Sequence, residues 1–387
     1  MATRTIDIAI IGAGIAGLWA FNRLKRMGYD VLLLEREGIG AGQTLASQGI
    51  IHSGLKYAFA GKINELAHSI SAMPDLWRTA LKGDGAVDLS AASGAASSQY
   101  LLIPPGFMGG LIGLVSKKAL GGNVTELAPE DWPDSIKQSG FNGSVIYMDE
   151  PVLDIAAIIR ALAEPYKNCI RKIDSSDPFD YLRAHNINAK NVIFTAAQSN
   201  QEIAAVHGHD EGLKTQARPL LMGMMKNAPY PLYAHLVGPS EKPVATITTH
   251  KTQSGDLVWY LGGGVAERAK DDDPRKVYEA CRKALKKYLP AVDLSAVQWA
   301  ALPIDRIEGA SGAKGWMPDT PTIHAAENTL YCWPTKLTFA PLLSDMILEH
   351  LQARGLSPSN HTSDFSDIPP VDYAPAPWDK TSWTSDN

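Results

Sequence analysis

The chain has 387 residues, 36 Lys and Arg against 41 Asp and Glu for a formal charge of −5, and an apolar fraction of 45%. At roughly 150 residues per domain, this length implies two or three domains, and the acidic balance gives no reason to expect a nucleic-acid partner. No apolar run approaches the ~18–20 residues needed to cross a bilayer, so no transmembrane segment is expected.

The first predicted element is a buried parallel strand at Ile8–Ile11, a short apolar run. It comes early enough that no secretory signal is expected before it. Gly12, Gly14 and Gly17 then form a GxGxxG turn into a helix. Gly12 permits the tight turn, Gly14 lets a pyrophosphate approach the backbone at the helix N-terminus, and Gly17 lets the helix lie close on the strand. The helix carries Ile15, Leu18, Trp19 and Leu24 toward the sheet and stops at Gly28. A lone GxGxxG also occurs as a plain turn. Here a second strand, Val31–Leu34, ends in Glu35, 23 positions after Gly12, close to the ~20-residue offset at which a carboxylate accepts ribose hydroxyls. That charge would repel a 2′-phosphate, so NADP is disfavoured; the other reading of Glu35 is a solvated strand end.

A plain NAD domain would continue directly into another strand and helix. This chain instead enters a long loop from Arg36 that is rich in Gly38, Gly40 and Gly42 and in small polar residues such as Thr44, Ser47 and Gln48. Such a loop can lie along a ligand.

The words Ser47-x-Gly49-x-Ile51-His52-Ser53-Gly54 and the nearby Tyr57 resemble the FAD-dependent oxidoreductases of the D-amino-acid-oxidase superfamily. They look most like its L-2-hydroxyglutarate dehydrogenase and glycerol-3-phosphate dehydrogenase branches. The resemblance implies non-covalent FAD, held by Gly12, Gly14, Ile15, Ala16, Gly17, Glu35, Arg36, Thr44, Ser47, Gln48, Gly49 and Ile51, with His52 beside the isoalloxazine. Three later segments fit the same family. Ser144–Asp154 reads as a strand leading into a capped helix over Ile155–Leu162, and Asn191–Ala197 as a buried strand returning to the FAD domain. Gln198 stands where the family usually has glycine. Asn328–Pro341 looks like the last strand, the flavin-facing loop and the start of the final helix, which runs to Leu351. Trp333-Pro334-Thr335-Lys336 replaces the usual glycine-rich loop, and Lys336, Leu337 and Thr338 are expected at the flavin. The helix N-terminus and Lys336 would face the negative charge that the flavin gains on reduction.

The fold class implied is α/β: a discontinuous Rossmann-like FAD-binding domain and an α+β substrate domain with a mostly antiparallel sheet. Residues 1–80, 144–218 and 305–355 are assigned to the first, and 81–143 and 219–304 to the second. Strands are predicted at Leu220–Met225, Ala245–Thr249 and Leu257–Leu261, with an amphipathic helix between Asp273 and Leu289 whose outer face is basic. Residues 356–387 form an irregular, Pro- and Ser-rich tail that Trp378 and Trp383 would anchor.

A flavin accepts a hydride at N5 while a base removes a proton from the substrate hydroxyl or amine. A histidine suits that task. His52 is the first candidate, His250 at the end of a predicted strand the second, and His235 a weaker third; each could instead be structural. Arg306 could clamp a carboxylate or pair with Asp305 or Glu308. Arg218 resembles the family's Arg-Pro entry into the substrate sheet, often a structural position. Lys56 and Tyr57 could form a pocket wall or ordinary surface. Cys332 is expected to pack into a core, and no metal ligand is expected.

The expected activity is oxidation of a small polar molecule, a 2-hydroxy acid or related alcohol, with amine or amino-acid oxidation as the runner-up and a non-catalytic flavin protein as a third class. The electron acceptor stays open among oxygen, a quinone and another protein. Three widely spaced cysteines, Cys169, Cys281 and Cys332, fit a reducing cytoplasm. The basic helix after Asp273 is the candidate contact for peripheral membrane association.

Overall fold

The computed structural model describes residues 3–54, 70–94, 96–106, 124–240, 242–269, 271–309 and 320–385. Lys56 and Tyr57 lie outside these residues. Among the described residues the strands form two sheets.

The first sheet runs in the order β13-β14-β7-β1-β2-β6. Its strands are β1 (Arg4–Ile11), β2 (Val31–Glu35), β6 (Ile170–Lys172), β7 (Ile187–Phe194), β13 (Thr322–Ala326) and β14 (Thr329–Trp333). All neighbours are parallel except the β13–β14 hairpin. Ile8, Ala9, Ile10 and Val31 to Leu34 are fully or almost fully buried, as a parallel strand covered on both faces requires. Helix Ile15–Arg26 packs against helix Ala340–Ala353 and helix Ile155–Ala163. Because β2 lies on one side of β1 and β7 on the other, the chain order reverses between β1 and β7. In open α/β sheets a crevice forms at the carboxyl ends of strands at such a switch point.

The second sheet runs β15-β12-β8-β11-β10-β9-β3-β5-β4. It comprises β3 (Ala96–Ile103), β4 (Val124–Leu127), β5 (Ser144–Leu153), β8 (Thr215–Lys226), β9 (Ala234–Leu236), β10 (Ala245–Lys251), β11 (Leu257–Gly262), β12 (Gln298–Gly309) and β15 (Thr384–Ser385). All its pairs are antiparallel except β3–β9. One face packs Ile247, Trp259 and Trp299 against Val277, Cys281 and Leu285 of helix Pro274–Tyr288. The opposite face carries Met222, Thr246 and Arg306 toward the first sheet and lines the cavity described below.

Strand β5 departs from the sequence reading, which joined it to the helix after it and so to the parallel sheet. Its hydrogen bonds go to β3 and β4 of the second sheet, although the following helix does pack on the first, with Asp154 accepting from Ala157 N as its N-cap. Likewise β8 and β12 pair without a break from Thr215↔Gly309 to Lys226↔Gln298, so the divisions drawn at 218 and 304 fall inside paired strands. Their shared end reads Thr-Gln-Ala-Arg and Asp-Arg-Ile-Glu. It is polar because it faces a cavity, and polar strand ends read as loops.

The tail is irregular but fixed. Ser363 N and Oγ donate to Asp30, Phe365 and Ile368 are buried beside the first sheet, and Trp378 packs on the second. Among the described residues no helix is long and apolar enough to cross a membrane.

Candidate active site

A cavity of about 1120 Å³ separates the two sheets. It exceeds the roughly 300–1,000 Å³ of an ordinary small-ligand pocket and so has room for a dinucleotide and a small substrate. One end is built from the opening turn. Gly12 has φ +104°, and a Cβ there would stand 2.9 Å from Thr195 O; a Cβ on Gly17 would stand 2.0 Å from Gly12 O. Both glycines are therefore obligatory to this geometry. Gly14 is the N-cap of helix Ile15–Arg26 and has no side chain of its own to cap it, and the positive end of the helix faces the cavity beside Thr44, whose Oγ1 takes the Ile15 N–H. Glu35 lies at the rim, its carboxylate accepting from Ala13 N at 2.7 Å and Glu37 N at 2.8 Å.

The loop from 36 to 54 runs from this end to the other. Thr44 Oγ1 accepts from Ile15 N at 3.0 Å. Ser47 Oγ is buried, lines the cavity and has no hydrogen-bond partner among the described residues, which marks a polar group built for a ligand. Gln48 lines the cavity too, yet its Nε2 also donates to Thr246 O and Tyr260 O, both at 3.0 Å. Gln43 accepts from Ile307 N at 3.2 Å. The loop is thereby pinned to the second sheet as well as to the first. Gly49 has φ +71°, and its Cβ position lies 2.3 Å from Leu153 O.

Of the residues expected at the cofactor, Gly12, Gly14, Ile15, Ala16, Glu35, Arg36, Thr44, Ser47, Gln48, Gly49, Lys336, Leu337 and Thr338 all line this cavity. Gly17 and Ile51 are not among the residues that line it. Gly17 acts one layer behind the lining, through its contact with Gly12. Ile51 is fully buried in the core of the first sheet, because the extended loop alternates its side chains and turns Ile50 and His52 the other way.

At the far end three segments converge on His52, whose side chain is 27% exposed. Its backbone N–H donates to Thr338 Oγ1 at 3.2 Å. Its Nδ1 lies 3.3 Å from Glu150 Oε2, and its ring stacks with that of His235 at 6.4 Å between centroids. Glu150 is 2% exposed and accepts from both Ser53 N and Ser53 Oγ at 2.7 Å. Burial raises its pKa, but the bonds from His52 and Ser53 outweigh that and hold it below the usual carboxylate value. His235 is buried on β9 with Nδ1 2.8 Å from Thr246 Oγ1. One donor atom each from His52, Glu150 and His235 lies within 4.8 Å of the others.

The sequence reading missed Glu150 as a site residue and ranked His235 low. The available signal was a charged pair, Asp149-Glu150, interrupting an otherwise apolar strand. His250 does not join the cluster. It lies on the same strand face as Thr246 but is absent from the cavity lining, stacking instead on Trp378 at 4.1 Å and touching Tyr260. That packing takes solvent from the ring and pushes its pKa down to about 3.

Arg306 and Arg218 face each other directly across β12 and β8 and both line the cavity. Glu308, 1% exposed, pairs with Arg218 at 3.3 Å and accepts from Gln216 at 3.3 Å. Burial raises the Glu308 pKa against the pull of Arg218. Arg306 Nε is buried and has no hydrogen-bond partner among the described residues, and Glu308 is taken by its neighbour. Lys336 and Cys332 line the cavity as well; burial raises the Cys332 thiol far above its usual range, which disfavours the thiolate form. Ala197, before the departing Gln198, holds φ +51°, a conformation glycine adopts freely, and its carbonyl accepts from Trp333 Nε1.

The chain matches a family model described as FAD dependent oxidoreductase over residues 7–332. An FAD-dependent oxidoreductase of Pseudomonas aeruginosa, PA4991, is 37% identical over 368 residues, spanning 92% of this chain and 93% of that protein. Its crystal structure superposes with a TM-score of 0.79, covering 98% of both chains. Glycine oxidase from Geobacillus kaustophilus shares the fold at a TM-score of 0.64 and 14% identity, over 93% of this chain and 100% of that one. Glycerol-3-phosphate dehydrogenase 1 of Mycobacterium bovis is 23% identical over 225 residues, 51% of this chain and 39% of that protein.

Proposed function

The chain belongs to the DAO family of FAD-dependent oxidoreductases, and from that premise we propose that it oxidises a 2-hydroxy acid or a related anionic alcohol. FAD, when bound, supplies the hydride acceptor at its N5 atom. Gly12, Gly14 and the helix behind them are assigned the pyrophosphate, Glu35 the adenosine ribose, and Ser47, Gln48, Lys336, Leu337 and Thr338 the ribitol and flavin. Residues of the second sheet face the substrate.

The observation that carries the reading is Arg306: a guanidinium lining the cavity with a buried Nε and no partner among the described residues. A buried donor of this kind is costly unless a ligand satisfies it, and its planar fork suits a carboxylate. In the same cavity His52 takes the proton of the substrate hydroxyl. An alcohol needs such a base, because its O–H does not ionise near neutrality. A 2-amino acid carries the same carboxylate and would use Arg306 equally well, and its ammonium, protonated near neutrality, would also have to lose a proton before oxidation. That alternative is the runner-up.

The test is anaerobic mixing of the FAD-loaded protein with 2-hydroxy acids, 2-amino acids and glycerol 3-phosphate. A hydroxy acid is expected to bleach the flavin, and His52→Gln to slow that bleaching without loss of the cofactor. Bleaching by amino acids alone, or an H52Q variant as fast as wild type, overturns the proposal. Reoxidation by air or by a quinone then separates an oxidase from a dehydrogenase.

A further inference from the structure

We propose that Glu150 is the positioning residue for His52, fixing its tautomer so that Nδ1 keeps a proton and Nε2 is the atom that accepts one; this rests on the reading of His52 given above. Loop residues 49–53 and the end of β5 are zipped together. Ile51 N donates to Pro151 O and Leu153 N to Gly49 O, both at 2.9 Å, and Ile50 bridges to Val152. This pairing brings Glu150 under Ser53 and beside His52, though nearly a hundred residues separate them in sequence.

The two carboxylate oxygens then have different duties. Oε1 accepts from the backbone and hydroxyl of Ser53 at 2.7 Å each, so the carboxylate cannot rotate. Oε2 faces His52 Nδ1 at 3.3 Å. An ionised carboxylate is an acceptor only, so the imidazole nitrogen facing it must be the one bearing hydrogen. With the hydrogen on Nδ1, the acceptor nitrogen of the neutral imidazole is Nε2. When His52 takes the hydroxyl proton it becomes an imidazolium, and the buried negative charge beside it stabilises that product. A buried carboxylate with no such neighbour would be strongly unfavourable, so the pair also accounts for why a glutamate is tolerated in the interior of an apolar strand. Among the described residues, the charged or titratable groups that share the cavity with the ring include His235 from β9, Arg218, Arg306, Asp305, Lys336 and Lys242 with Glu267.

Glu150→Gln separates this role from loop support. The glutamine oxygen can still accept from Ser53, but its NH₂ group turns a donor toward Nδ1. That reverses the tautomer and blocks Nε2. The E150Q protein should retain FAD and bind the hydroxy acid as wild type does. Its rate of flavin reduction should fall on the order of 10²–10⁴-fold, the span of a general base. A second readout is independent of turnover: in ¹⁵N-histidine-labelled wild type, a far-downfield Nδ1–H proton resonance should be present, and it should vanish in both E150Q and H52Q.

Unchanged reduction by E150Q overturns the proposal. So does the lack of that resonance in wild type, or its persistence in E150Q. Stoichiometric divalent metal held by His52, Glu150 and His235 also overturns it, because a metal would displace the shared proton. If no hydroxy acid reduces the wild-type flavin, the substrate reading fails on its own, and the resonance still decides the tautomer. Should E150Q not fold, the wild-type and H52Q spectra decide it alone.

Discussion

Arg306→Ala should weaken substrate binding while leaving the protein without substrate at least as stable. Two guanidinium groups stand directly opposite one another on β12 and β8, at Arg306 and Arg218, and the nearby carboxylate of Glu308 is paired with Arg218. Removing one of two like charges facing each other across strands relieves about 0.2–1 kcal/mol, and no hydrogen bond from Arg306 Nε is lost among the described residues. A substrate carboxylate held by charged hydrogen bonds forfeits about 1.5–3 kcal/mol when the guanidinium goes. At about 1.4 kcal/mol per decade this is roughly a 10- to 150-fold rise in Kd. R306K should fall between, since an ammonium keeps the charge but not the fork. The assay pairs the concentration dependence of anaerobic flavin reduction with urea unfolding of the FAD-bound protein. Substrate binding as tight as wild type in R306A would refute the clamp, and a loss of several kcal/mol in stability would show Arg306 to be a structural strut.

Gly17→Ala places a Cβ 2.0 Å from Gly12 O; the protein should purify largely without flavin, and a full FAD complement measured by absorbance would count against the proposed grip. The folded pKa of His250 is pushed down to about 3, so the unfolded chain takes up a proton near pH 6.5 that the folded chain refuses. Stability from this residue is complete above that pH and is lost as pH falls below it, by about 2 kcal/mol at pH 5. Urea unfolding of wild type and H250F at pH 7 and pH 5 checks this, and equal pH dependence of the two contradicts it. Trp378→Ala removes the ring stacked on His250 at 4.1 Å and the bond to Lys251 O at 2.9 Å. A cost of about 3–5 kcal/mol is expected, with a weaker acid dependence than wild type; an unchanged unfolding midpoint would show that the tail is not anchored there.

The cofactor grip was legible because its requirements are local. A turn at φ +104° and a Cβ-free helix contact demand glycine at fixed spacing, and the next strand must end where Glu35 stands. The heavier errors came where distant segments decide the outcome. Glu150 belongs to the site only because β5 pairs with the loop at 49–53, a contact with no signature in either segment alone. His250 was placed at the end of its strand, but the irregular tail brings Trp378 over it. Ile51 follows the words of the flavin loop, yet alternation along an extended backbone sends it inward. The twelve-residue strand β12 escaped notice because its polar end lines a cavity instead of solvent. Arg306 was found, while its freedom from Glu308 depended on the register that hands that carboxylate to Arg218.

A structure of the FAD-loaded protein with a bound 2-oxo acid, the product of hydroxy-acid oxidation, tests the central claim most directly. The account predicts the carboxylate on the Arg306 guanidinium and the 2-oxo oxygen within hydrogen-bond reach of His52 Nε2. A product anion bound away from Arg306, with His52 turned from the ligand, would contradict it.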